Sequence, residues 1–95
     1  MKFKDIKFTP TTTPKGVQAL LEFGDYELSV ICNESSYGGK NNGSLYEIGV
    51  FKDAKMIELP GITAQGDTVK GFLTESDVET IILKMQTITE PSKWN

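Results

Sequence analysis

Val17-Gln18-Ala19-Leu20-Leu21-Glu22-Phe23, then Gly24-Asp25, then Tyr26-Glu27-Leu28-Ser29-Val30-Ile31-Cys32-Asn33 is the stretch whose reading decides the fold. Two runs of strand-forming residues flank a dipeptide that begins with glycine, the residue a two-residue II′ turn requires in its first position. Such a turn sets Phe23 opposite Tyr26, and the register propagates from there. Leu21 then meets Leu28, Ala19 meets Val30 and Val17 meets Cys32 on one face. Glu22 against Glu27, Leu20 against Ser29 and Gln18 against Ile31 fall on the other. The first face is apolar and must be buried; the second is mixed. A slip of one residue would invert every side chain, so the pattern specifies the register.

Beyond the hairpin, residues 33–44 form a polar loop rich in Gly and Asn, and Leu45–Phe51 places Tyr46, Ile48 and Val50 on one strand face. Lys52-Asp53-Ala54-Lys55 reads as a turn and Met56–Leu59 as a returning strand. Before the hairpin, Ile6 and Phe8 alternate within Phe3–Phe8, which predicts a short edge strand. Thr9–Gly16 holds two prolines, Pro10 and Pro14, that remove ladder donors and predict a loop. Residues 60–73 read as a linker with only short extended pieces, near Val69 for instance.

A helix is signed at Thr74, a good N-cap, with Asp77 placed to complete a capping box and Leu73 placed to staple against Val78. Val78, Ile81, Ile82, Met85 and Ile88 then share one helical stripe, with Leu83 off it. Neither the sheet nor the helix can bury its apolar side alone. The expected fold is therefore α+β, one domain over residues 1–95: an antiparallel β-meander of about four to five strands (3–59), the linker (60–73), one C-terminal helix (74–89) packed on one face, and a tail (90–95). Its expected core face comprises Ala19, Leu21, Leu28, Val30, Ile48 and Val50.

Composition narrows the chemistry. The 95 residues are 38% apolar and 24% charged with a net charge of −3, ordinary for a globular chain. All ten basic residues are Lys, so the chain lacks Arg, the residue that forks onto phosphates and guanine edges, and it lacks His, the usual acid–base group near neutral pH. Sequence-specific nucleic-acid binding and His-dependent hydrolysis are not expected. No apolar run exceeds three residues, so neither a membrane span nor a signal peptide is expected, and the Asn33 and Asn42 sequons carry no meaning without secretion. The lone Cys32 falls at a core position and reads as a small hydrophobe. Asp53, Glu58, Asp67 and Asp77 lack metal-loop spacing. No metal, no cofactor and no enzymatic activity are expected.

Candidate contact residues gather in two places. The loop carries Tyr37, a rigid amphipathic group, and Lys40, Asn41 and Asn42, which offer adaptable hydrogen bonds. It is not a P-loop, because Asn41 follows Lys40 where Ser or Thr is needed and a strand comes next. It reads either as a partner-binding loop or as a plain connector. On the outer sheet face, Leu20 and Ile31 can sit diagonally adjacent as a self-association patch (a homodimer) or a partner patch, or lie beneath a second layer made by residues 3–8 and the linker. The opposed Glu22 and Glu27 are either an acidic contact for a basic partner or a solvated, splayed pair. Trp94 either folds back over the core edge or serves as an aromatic anchor.

Taken in order, Tyr26-Glu27-Leu28-Ser29-Val30, Ser36-Tyr37-Gly38-Gly39, Leu45-Tyr46-Glu47-Ile48-Gly49-Val50 and Gly71-Phe72-Leu73-Thr74-Glu75-Ser76-Asp77-Val78 resemble a group of small bacteriophage-encoded proteins. The resemblance spans Gly16 to Met85, and its motifs are structural rather than catalytic. It implies a phage or prophage accessory protein in the cytoplasm of the bacterial host, of the kind that binds and blocks a host protein, as anti-CRISPR and other anti-defence proteins do. The expected function is thus a non-enzymatic binder or inhibitor of a host protein. The alternatives are an oligomeric protein that sequesters a small nucleotide signal, and a phage structural or assembly component.

Overall fold

The computed structural model describes residues 2–36 and 45–89. In chain order these form a 3-10 turn (Phe3–Asp5), β1 (Thr9–Thr12), β2 (Lys15–Phe23), β3 (Tyr26–Asn33), β4 (Tyr46–Lys52), β5 (Lys55–Ile57), β6 (Val69–Leu73) and α1 (Glu75–Thr89). The fold is α+β, an antiparallel meander ordered β1-β2-β3-β4-β5, with β6 also paired to β4. β5 takes the Val50–Lys52 part of that edge of β4, and β6 takes the part from Tyr46 to Gly49.

The central hairpin has its predicted register at every pair from Val17 with Cys32 to Phe23 with Tyr26. Gly24 sits at φ +61° while Asp25 stays out of the left-handed region, the pattern of a II′ turn. The β4–β5 turn is of the other hairpin type: Asp53 and Ala54 both lie in the left-handed region, at φ 53° and 66°.

Three segments differ from the sequence expectation. Residues 3–8 form no strand. The chain turns at Phe3–Asp5, Ile6 is buried, and the Phe3 and Phe8 rings lie 5.0 and 5.7 Å from the Tyr46 ring. The alternation of Ile6 and Phe8 reflects contact with the core rather than a ladder. Thr9–Thr12 is strand β1 rather than loop, with Pro10 opposite Val17. An edge strand tolerates proline because one of its sides has no ladder partner, and Pro14 falls in the turn into β2. Finally, Val69–Leu73 is a full strand. Tyr46 pairs with Leu73 but Ile48 with Lys70, so one extra residue bulges from β6, and Phe72 takes φ 58° there.

The helix begins as predicted. The Thr74 N–H donates to the Asp77 carboxylate (3.0 Å) and the Asp77 N–H donates to Thr74 Oγ1 (3.1 Å), a reciprocal capping box. Val78, Ile81, Ile82 and Met85 are buried, whereas Ile88 lies beyond the core and is exposed. The helix packs on β2, β4, β6 and the 3-10 turn, covering Ala19, Leu28, Val30, Ile48 and Val50, with Leu21 at the margin. Phe23, Ile62, Leu73 and Ile6 complete this core. Ile62 is held by a tight turn in which Leu59 N–H donates to Thr63 Oγ1 and Thr63 N–H donates to the Leu59 carbonyl, each at 2.9 Å. Fully buried side chains such as Leu28, Ile48, Ile82 and Met85 each contribute about 1.5–3 kcal/mol, so this one apolar layer carries most of the stability.

Candidate binding face

The helix and the 3-10 turn lie on the same side of the sheet, joined where the Phe3 N–H donates to Glu79 Oε1 at 2.6 Å. The opposite side is defined by register. Gln18, Ile31 and Glu47 form one outward row, with Thr9 at its β1 end. Leu20, Ser29, Gly49 and Val69 form the next. Glu22, Glu27, Phe51 and Met56 form the third, beside the Gly24-Asp25 turn.

The middle row explains the shape of this face. Ser29 and Gly49 bring almost no side chain to its centre, while Gln18, Ile31, Glu47, Phe51, Met56 and Val69 stand around them. The result is a depression of about 340 Å³, closed at its far end by Thr11, Thr13 and Pro14 of the β1–β2 hairpin. A Cβ on Gly49 would lie 3.3 Å from Met56 Cε and 3.5 Å from Val69 Cγ1, which shows how closely the walls approach the floor.

The sequence-predicted residues are partly brought together. Leu20 and Ile31 are diagonal neighbours, and Leu20 is 58% exposed. No second layer made by residues 3–8 covers them, since Phe3, Ile6 and Phe8 belong to the inner core. Ile31 lines the depression; Leu20, Glu22 and Glu27 stand outside it. Glu22 and Glu27 are direct cross-strand partners, as predicted. Tyr37, Lys40, Asn41, Asn42 and Trp94 lie outside the described residues.

Gly49, Met56, Val69, Thr13 and Pro14 were not singled out from sequence. Placing Tyr46, Ile48 and Val50 inward already forces Glu47, Gly49 and Phe51 outward, so part of this wall was available from strand period alone. Met56 and Val69 required knowing that two strands share one edge of β4.

The reactive groups are quiet. Cys32 sits in the inward register opposite Val17, and burial pushes its thiol up, away from the thiolate an activated nucleophile needs. Burial first, then Cys32 and Glu75, push Tyr46 up as well. Among the described residues, no three His, Cys, Asp or Glu side chains come together as a metal site, and no helix is long and apolar enough to cross a membrane.

A second, shallower apolar surface lies on the outward side of the helix, formed by Leu83, Ile88, Thr80, Thr87 and the stem of Lys84, whose ammonium donates to the Gly61 carbonyl at 3.3 Å. In comparison with known proteins, no protein family, curated protein or solved structure matches this chain.

Proposed function

We propose that the protein is a non-enzymatic binding protein that recognises another protein through the outer face of its sheet. In this reading it is a phage-type accessory protein that inhibits or modulates a protein of its bacterial host. The observation that carries the proposal is the one-sidedness of the fold. Helix and N-terminal turn bury one face, while the other presents Leu20, 58% exposed, beside a depression walled by Ile31, Phe51, Val69 and Met56, the last 47% exposed. Exposed apolar side chains around a concave centre, rimmed by polar groups, are the features of a docking surface. Sequestration of a nucleotide signal fits less well. The depression has a suitable volume, but Glu47 is the only charged side chain among the described residues that line it, which disfavours phosphate.

Affinity capture from a bacterial lysate tests the proposal when three forms are compared. Wild type and a Leu83→Ser control on the helix should retain the same dominant partner, and Leu20→Ser with Met56→Ser should lose it. Capture indifferent to the Leu20 and Met56 changes would reject the outer face. A fourth form, Tyr37→Ala with Lys40→Ala, asks separately whether the loop contributes.

A further inference from the structure

Charge is sorted between the two sides of the sheet. In the six strands, all four Lys residues, Lys15, Lys52, Lys55 and Lys70, occupy the inward register at the margins of the helix-covered face. All three Glu residues, Glu22, Glu27 and Glu47, occupy the outward register. The outer face thus combines exposed apolar groups with strand charges of one sign only. Two of its carboxylates are direct cross-strand partners, an arrangement that works against the sheet rather than for it.

We infer that the occupant of this face is a positively charged protein surface, whose Lys or Arg side chains bracket an apolar anchor seated over Ser29 and Gly49. The inference rests on the outer-face reading above and deepens it. Glu27 and Glu47 lie four residues apart in register terms, one row to either side of the Ser29–Gly49 pair, so the carboxylates flank the floor of the depression about 14 Å apart along the strands. A partner with cations at that spacing and an apolar group between them complements both features. A second copy of this chain is the poorer occupant, because a two-fold contact would bring two sets of three Glu residues together with no strand Lys on either face.

Blocked peptides Lys-Thr-Leu-Thr-Lys, Gln-Thr-Leu-Thr-Gln and Glu-Thr-Leu-Thr-Glu, which in extended form place their first, third and fifth side chains on one side, are the probes. Titration into labelled protein, followed by NMR, should shift Leu20, Ser29, Ile31 and Gly49 with the Lys peptide and far less with the other two. The Lys-peptide affinity should fall about tenfold in the Glu22→Gln, Glu27→Gln, Glu47→Gln variant at low salt, and comparably in wild type at high salt. Equal shifts with all three peptides on the outer face would overturn the charge inference and leave the outer-face reading standing. Shifts confined to the helix surface around Leu83 would overturn both. Concentration-dependent dimerisation abolished by Leu20→Ser with Met56→Ser would assign the face to a second copy and overturn the inference.

Discussion

Ser29 and Gly49 face each other directly across β3 and β4, in the outward register and at the centre of the sheet. Neither fills the space above it, and the depression exists because larger neighbours do. Gly49 lies outside the left-handed region, so a methyl group is allowed by its backbone. The nearest atom to an added Cβ is Met56 Cε at 3.3 Å, the far end of a flexible chain that can move aside. Gly49→Ala is therefore expected to stabilise the fold by about 0.5 kcal/mol, chiefly by restricting the unfolded chain, while making the floor shallower. Urea denaturation checks the first effect and partner affinity the second.

Gly16 behaves oppositely. A Cβ there would collide with the Cys32 carbonyl and lie 2.5 Å from Asn33 Cα, both backbone atoms of the paired strand. Backbone cannot move aside as Met56 does, so Gly16→Ala should destabilise by about 2 kcal/mol or more, read as a lower denaturation midpoint at unchanged slope.

Ala54 occupies the left-handed region at φ 66° in the β4–β5 turn, where a Cβ is costly and glycine is the preferred residue. Ala54→Gly is expected to gain about 1 kcal/mol and to raise the melting temperature by about 4–8 °C in a domain of this size. Scanning calorimetry measures it.

At the helix start, hydrogen bonds from Thr74, backbone first and then hydroxyl, together with the charge of Lys70, hold the Asp77 carboxyl below its ordinary value. A depressed folded-state value means the stabilisation is fully present above the unfolded value, about 3.9, and is lost as pH falls through the lower folded value. Thr74→Ala should cost about 1 kcal/mol near neutral pH. In Asp77→Asn, the fall in stability between pH 5 and the acid limit should be shallower than in wild type, as followed by denaturation at successive pH values.

The parts of the fold legible in the sequence were those with local specification. Gly24-Asp25 set the whole β2–β3 register, and Thr74 with Asp77 marked the helix start, because each is decided by residues a few positions apart. The failures lay where long-range packing overrode local cues. Pro10 argued against a strand, yet an edge beside Val17 accommodates it. Ile6 and Phe8 alternated like a strand, yet Ile6 serves the core and Phe8 stacks near Tyr46. Leu20, Ile31, Glu22 and Glu27 were placed on the outer face by register alone. The depression was not legible, since it depends on Met56 and Val69 meeting around Gly49 from two strands that share one edge of β4.

If the outer sheet face is the contact surface, methyl cross-saturation NMR on labelled protein bound to its captured, unlabelled partner will register it. The expected result is attenuation of the Leu20, Ile31, Met56 and Val69 methyl signals with Leu83 and Ile88 unaffected. Attenuation of Leu83 and Ile88 with the four outer-face residues unchanged would contradict it.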